Sequence, residues 1–223
     1  MRKSILALST AAIVALPGAL AAQGFGVAGR AGTLGLGAEA ALGLTDAFVL
    51  RGGLGLMPLE PSATIDNIDF TLKLPETWFN VGADLYLGSS VRIGGGMLFK
   101  PDDPTLTAEI TGSTTIEIGD VTYTASDVAQ VNGTLDSKDQ APYALIGFGK
   151  HTKSGIGLFL DLGAAFIGEP EVTLNATGNQ VVVGSAEFQS ELRKQEQNLE
   201  DDLGTYIKVW PIINIGIRIG VGG

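Results

Sequence analysis

Seven charged residues interrupt apolar, glycine-rich segments of the chain at positions where they could act together. Charges removed from water are tolerated only when they are paired and hydrogen-bonded. A set of both signs therefore predicts an enclosed salt-bridge network, and a selectivity lining or proton path is the functional alternative. The set comprises Glu39, Arg51, Asp84, Arg92, Asp161, Lys208 and Arg218.

His151 is the one histidine in the chain and the one candidate for an imidazole general base. It stands between Lys150 and Lys153, with no evident serine or aspartate partner, so we expect a solvated turn residue. The sequence has no cysteine, which excludes a thiol nucleophile, Cys-ligated zinc and a disulfide framework. We therefore predict that the protein is not an enzyme and carries no cofactor.

Two further patterns match binding motifs only superficially. Gly24-x-Gly26-x-x-Gly29 has the letters of a dinucleotide fingerprint, but that motif requires a helix after the glycines, and here a strand pattern follows. Three acidic clusters lack the ligand spacing of a calcium loop, so we expect solvated loops; weak divalent binding beside anionic headgroups is the alternative. The clusters are Asp66 with Asp69, Asp102 with Asp103, and Glu200 to Asp202.

The N-terminus predicts export. Arg2 and Lys3 precede an apolar stretch over residues 5–16, and Ala19-Leu20-Ala21 has the small-x-small form of a cleavage site. We therefore expect a signal peptide over residues 1–22 and one barrel domain over residues 23–223. The net charge of −10 argues against nucleic acid as a partner.

Strict alternation of apolar and small residues predicts strands over most of the remaining chain. One face of each segment is aliphatic, and the other is mostly glycine with single charges. A soluble β-protein would instead carry many Lys, Glu, Thr and Ser residues on its outward face. We therefore expect the aliphatic face to contact lipid and the glycines and charges to be enclosed. The segments span residues 34–44, 48–56, 79–87, 91–100, 143–149, 156–166 and 207–221.

Connection lengths indicate how the strands are arranged. Short connections at 45–47, 88–90 and 151–155 alternate with long ones at 57–77, 101–140 and 168–204, as in outer-membrane barrels. An open edge in lipid would leave backbone groups unpaired, so Gly24 to Ala31 is expected to be an eighth strand that closes the barrel. The predicted fold is an all-β, eight-stranded antiparallel up-and-down transmembrane β-barrel with long external loops.

Within the long connections we expect two further elements. Residues 105–111 and 114–118 flank Gly112-Ser113 and predict a hairpin outside the membrane. Residues 185–203 carry Phe188, Leu192 and Leu199 at helical spacing, which predicts a surface helix packed on the barrel rim.

The C-terminal strand resembles the signal that barrel-assembly machinery recognises in the final strand of outer-membrane barrels. Asn214, Gly216, Ile219 and Val221 occupy the polar, glycine and two aromatic positions of that signal, with aliphatic side chains in place of the aromatic ones. Gly222 and Gly223 follow, whereas such proteins usually end on Phe. We therefore expect the assembly machinery to be a partner during biogenesis.

Four stretches together resemble a family of small bacterial outer-membrane β-barrel proteins, similar in plan to OmpW- and OmpX-type barrels. They are Ala31-Gly-Thr-Leu-Gly-Leu-Gly-Ala-Glu39, Ala141-Pro-Tyr-Ala-Leu-Ile-Gly-Phe-Gly149, Asp161-Leu-Gly, and Trp210-Pro211 with the final strand. The resemblance implies an outer-membrane location and a barrel fold, and it carries over no substrate or catalytic residue.

The sequence thus predicts an outer-membrane barrel with a structural or surface-interaction role and no chemistry of its own, with outer-membrane lipid as its surroundings. A narrow channel for small or hydrophobic solutes is one alternative. A soluble periplasmic β-barrel binding module, with the aliphatic faces packed inward, is the other. The oligomeric state stays open.

Overall fold

The computed structural model describes residues 24–65, 68–204 and 208–221. The predicted signal peptide therefore lies outside the described residues. The strands are β1 (Phe25–Gly32), β2 (Leu36–Gly43), β3 (Phe48–Leu56), β4 (Ser62–Ile65), β5 (Ile68–Lys73), β6 (Thr77–Tyr86), β7 (Val91–Phe99), β8 (Thr105–Ile110), β9 (Thr115–Ile118), β10 (Val121–Thr124), β11 (Val128–Asp136), β12 (Gln140–Phe148), β13 (Gly155–Ala165), β14 (Glu171–Gly178) and β15 (Trp210–Val221). The helices are α1 (Gln180–Val183) and α2 (Ala186–Gly204).

Eight of these strands form a closed antiparallel barrel. Its order is β1-β15-β13-β12-β7-β6-β3-β2, so each barrel strand pairs with the next one along the chain and the last pairs with the first. Pairing of Phe25 with Val221 and of Gly32 with Asn214 marks the two ends of this seam. The prediction of an eight-stranded up-and-down barrel is confirmed, including the first strand expected at residues 24–31.

The barrel carries its apolar side chains on the outside. Leu36 is 70% exposed and Ile217 57% exposed, and the same face of every barrel strand is aliphatic. Charged side chains at intervening positions, such as Asp84 and Arg92, are buried within the barrel. The predicted orientation of the two faces is therefore confirmed: the aliphatic faces of the barrel strands point outward and do not pack together inside the barrel. Leu34, expected on the outward face with Leu36, is instead buried in the turn between β1 and β2.

The two ends of the barrel differ. Short turns at 44–47, 87–90 and 149–154 lie at the end that also holds Phe25 and Val221. The opposite end has one short turn at 33–35 and three long connections, at 57–76, 100–139 and 166–209. This is the predicted alternation of short and long connections.

The long connections fold into a second sheet rather than remaining loops. Its order, β14-β11-β8-β5-β4, repeats the order of the barrel strands to which its members are joined: β13, β12, β7, β6 and β3. Prolines, which cannot donate to a strand ladder, stand where the two sheets meet. They are Pro58, Pro61, Pro75, Pro101, Pro104 and Pro170. We call this five-stranded sheet the outer sheet.

The hairpin predicted from residues 105–111 and 114–118 is wrong. β8 pairs with β5 on one side and β11 on the other, whereas β9 forms its hairpin with β10. The glycine at 112 does provide a left-handed turn, but β8 is held by partners far along the chain. A local turn pattern cannot reveal such long-range pairing.

The predicted helix is present as α2, but it packs on the outer sheet rather than on the barrel rim. Phe188 and Leu192 are buried against Ile110, Val131 and Leu174 of the sheet, and Leu199 is partly buried there. Glu196 and Glu200 accept hydrogen bonds from the backbone N–H groups of Leu174 and Val172. Among the helices in the described ranges, none is long and apolar enough to cross a membrane.

Candidate functional site

The interior of the barrel is the candidate site, and its glycines make room for long charged side chains. Each interior charge lies opposite a glycine of a neighbouring strand, and an eight-stranded barrel is otherwise just wide enough for side chains to fill. The opposed pairs are Arg30 with Gly37, Glu39 with Gly53, Arg51 with Gly82, Asp84 with Gly94, Arg92 with Gly147, Asp161 with Gly147, and Arg218 with Gly157.

Five of the seven predicted residues meet in one network at the centre of the barrel. Arg51 contacts all three carboxylates: Nη1 lies 3.2 Å from Glu39 Oε1 and contacts Asp161, and Nε lies 3.4 Å from Asp84 Oδ2. Arg92 closes the ring, with Nε 2.9 Å from Asp84 Oδ2 and Nη2 on Asp161. All these side chains are almost completely buried. Each charge therefore has a partner of opposite sign in a region shielded from bulk water.

Arg30 belongs to the same network, although the sequence analysis did not include it. Its Nη1 lies 3.3 Å from Glu39 Oε2, and the residue is buried. With Arg30 the network has three arginines and three carboxylates, so its formal charges balance. The alternation of side chains could have predicted this position, because Arg30 falls on the face of β1 opposite to Val27 and Gly29. The pattern is weakest in this strand.

Lys208 and Arg218 do not join the network. Lys208 precedes β15 and pairs with Glu169 at the exposed end, with Nζ 2.6 Å from Oε1; its assignment to the interior is wrong. The alternating pattern had been extended back to residue 207, whereas β15 begins at Trp210. Arg218 is buried as predicted, but it donates to the backbone carbonyls of Lys153 and Gly155 rather than to a carboxylate.

His151 is buried and closes the lumen at the end with the short turns, so the prediction of a solvated turn residue is wrong. Its Nε2 lies 2.9 Å from Glu39 Oε1, and its ring centroid is 4.5 Å from that of Phe159. Tyr86 Oη accepts from the His151 backbone N–H at 3.0 Å and lies 3.3 Å from Nδ1. If Nδ1 accepts from Tyr86 Oη, the proton of a neutral imidazole lies on Nε2, which faces the Glu39 carboxylate.

The opposite end of the lumen is filled by an apolar plug. Its buried members include Leu34, Trp78, Leu98 and Ile212, and the rings of Trp78 and Trp210 lie 4.7 Å apart. Between plug and charge network lies a cavity of about 10 Å³. The lumen is thus occupied in three successive layers: apolar plug, charge network and His151.

The remaining motifs give no cluster resembling a cofactor or metal site. Gly24, Gly26 and Gly29 lie at the start of β1 and within it, and β1 leads into β2 without a helix. Within the part of the chain that the structure describes, no three His, Asp or Glu residues are placed to hold a metal ion. Asp66 lies outside the described residues, and Asp103 is held by Lys100 at the barrel rim.

The residues of the predicted assembly signal alternate across β15. Asn214 is buried in the lumen, Gly216 also faces inward against Phe159, and Ile219 and Val221 are exposed on the outer surface. The placement follows the strand pattern. Recognition by assembly machinery stays a prediction.

Comparison with known proteins identifies fold relatives. No protein-family model matches the chain, and no curated protein sequence matches it. The structure is similar to CarO2 of Acinetobacter baumannii, with a TM-score of 0.62 and 20% identity over 89% of this chain and 98% of that one. It is also similar to CarO of the same organism, with a TM-score of 0.57 and 18% identity over 87% of this chain and 96% of that one. At such identities the likeness shows a shared fold.

Because interior charges face glycines, we predict that a methyl group added at an inward-facing glycine lowers the free energy of unfolding more than one added at an outward-facing glycine. Gly147→Ala would place Cβ against the guanidinium of Arg92, which Asp84, Asp161 and the Gly149 carbonyl hold in place. We expect a loss of about 1–3 kcal/mol in the free energy of unfolding, as for an overpacked core. Gly29→Ala is the matched control, because nothing lies within 4 Å of its Cβ position. Denaturant titration of both variants in lipid vesicles measures the difference; equal midpoints would contradict the prediction.

The buried His151 predicts a loss of stability in mild acid. Burial lowers the pKa of the imidazole below its ordinary value of 6.5, although the Glu39 carboxylate opposes the shift. As the pH falls below about 6.5 the unfolded chain takes up a proton that the folded chain does not, so the unfolding midpoint should decline. His151→Gln keeps a donor for Glu39 and does not titrate, so its midpoint should change less between pH 7.5 and 5.5. Parallel pH profiles for the two proteins would refute this origin.

Proposed function

We propose that the protein is an outer-membrane β-barrel with a sealed lumen, which holds the outer sheet and α2 beyond the membrane as a surface for interaction. The observation that carries this proposal is the combination of an aliphatic exterior with an ion-paired interior. A soluble protein buries its apolar side chains, and this barrel exposes them around its whole circumference. Lipid is the surrounding in which such a belt is stable.

The fold relatives support the location. The chain shares its barrel fold with two solved CarO structures of Acinetobacter baumannii and covers nearly all of each one. The closed barrel and its exposed aliphatic belt together favour the outer membrane as the place for this protein. Outer-membrane lipid is then the partner of the belt.

The layered interior favours a closed barrel over a channel. A conducting path would have to separate Arg51 from its carboxylates and also displace the plug around Leu98 and Trp78. Leaving a buried charge without its partner costs about 3–5 kcal/mol. A narrow channel for small or hydrophobic solutes is the competing function, and it would require such a rearrangement.

The proposal also assigns the protein no chemistry of its own. His151 is 1% exposed and is engaged by Glu39 and Tyr86, so a substrate outside the barrel has no access to its imidazole. The large feature that remains available to partners is the outer sheet with α2. Its outward face carries half-exposed and exposed polar side chains such as Thr71, Asn175 and Thr173.

The proposed membrane location predicts that an arginine substitution lowers folding stability more on the barrel exterior than on the outer sheet, although both sites are exposed. Ile215 is 58% exposed in the middle of β15, and Thr173 is exposed in β14 of the outer sheet. If β15 spans a bilayer, Ile215→Arg should cost about 2–4 kcal/mol of folding free energy near the midplane. Thr173→Arg should change it little, as at most exposed surface sites. Refolding into vesicles with denaturant titration measures both, and equal small costs would favour a soluble protein.

The sealed lumen predicts that the protein conducts no ions across a bilayer. Folded protein inserted in a planar bilayer should give no discrete conductance steps, while a water-filled porin in the same membrane verifies the sensitivity of the recording. Folding is checked by the different gel mobility of unheated and boiled samples, and insertion by flotation of the protein together with lipid vesicles. If steps do occur, and Arg51→Ala changes their ion selectivity, the channel function replaces the closed barrel.

A further inference from the structure

The cavity between the apolar plug and the charge network lies within the closed part of the lumen. Its volume is about 10 Å³, and every residue that lines it is buried. Its apolar boundary comes from the plug, and its polar boundary comes from the charge network and from three further strands of the barrel wall, β6, β12 and β15. The polar residues are Arg30, Arg51, Asn80, Tyr143, Asp161 and Asn214.

Several polar atoms in this layer have no protein partner. Arg30 uses Nη1 for Glu39, but its Nε and Nη2 make no hydrogen bond to protein, and neither do Asn80 Oδ1 and Asn214 Oδ1. A buried polar group without a partner costs about 1–3 kcal/mol. The layer therefore combines unused guanidinium donors with unused amide acceptors.

We propose that one water molecule occupies this cavity and joins Arg30 to Asn80 and Asn214. Water accepts from the guanidinium and donates to the two amide oxygens, so it satisfies groups of opposite character at once. A cavity of roughly 10–15 Å³ with two to four polar partners is what one buried water requires.

Gly53 leaves room for the side chains of Arg30 and Asn80, both of which line the cavity. A methyl group there would lie 2.8 Å from Asn80 Oδ1 and 3.1 Å from Arg30 Nη1, so both side chains converge on the space that the glycine leaves open. Glycine at 53 thus has a second use besides facing Glu39 across the β2–β3 pair.

The polar lining distinguishes water from an anion. Arg30 and Arg51 would attract an anion, but the Asp161 carboxylate also lines the cavity, and the unused atoms of both asparagines are oxygens. The Tyr143 hydroxyl, which also lines the cavity without a partner, can either donate or accept, whereas these three oxygens only accept and disfavour negative charge there.

The water links parts of the wall that the backbone ladder does not join directly. Arg30 lies in β1, Asn214 in β15 and Asn80 in β6, so the bridge connects the seam between the first and last strands to another part of the barrel wall. We infer that it holds the Arg30 side chain in place between plug and network.

Crystals of the full-length protein soaked in sodium bromide test the occupant. We expect one density peak within hydrogen-bond distance of Arg30 and of both asparagine oxygens, with no anomalous signal at the bromide edge. An anomalous peak there would mean that an anion binds. A direct Arg30–Asn contact with no density peak would mean that the site does not exist. Either result overturns the proposal.

A solution measurement on folded protein in micelles uses a matched pair of variants. In the wild type, the Arg30 Nε–H resonance should show a magnetisation-transfer cross-peak to water. Gly53→Ala would push Asn80 Oδ1 and Arg30 Nη1 from their positions beside the cavity, and it should abolish the peak. Gly52→Ala should keep it, because the nearest atom to its Cβ position is 3.7 Å away. If the wild type lacks the peak, or if Gly53→Ala keeps it, the proposed bridge is wrong.

Discussion

Charge neutralisation inside a space without bulk water is the interaction on which the barrel depends. Three arginines and three carboxylates, brought in by six different strands, neutralise one another's charge across the lumen. The glycines opposite them are part of the same solution, because a wall of larger residues would leave no volume for guanidinium groups. The aliphatic exterior follows from this arrangement: once the polar groups occupy the lumen, the apolar side chains of each strand must face outward.

Five barrel strands continue along the chain into strands of the outer sheet, and the two parts face different environments. On the barrel side of the prolines, the outward face of the strands is aliphatic. In the outer sheet the outward face is rich in Thr and Asn, and the inward face packs on α2. Pro75 and Pro104 interrupt the ladders where the environment changes. The wall of the barrel is thus extended on one side, over β3, β6, β7, β12 and β13, and ends early over β15, β1 and β2.

Alternation with period two allowed the barrel, its strand number and its inside and outside to be predicted, because that pattern depends only on neighbours in the chain. It failed where placement depends on distant residues. His151 lies in a turn beside two lysines, and nothing local reveals that Tyr86 and Glu39 enclose it. β8 follows a local hairpin pattern but is held by β5 and β11, and Lys208 fits an extension of β15 that the structure ends at Trp210.

The core beneath α2 draws its side chains from all three long connections: Ile68 from the first, Ile110 and Val131 from the second, and Leu174 and Phe188 from the third. No single connection can bury these residues by itself. In the membrane setting proposed above, the core can therefore assemble only after all three segments have been translocated. Once formed, it would have to be dismantled before any strand could slide back. The outer sheet would then oppose movement of the inserted strands back across the membrane.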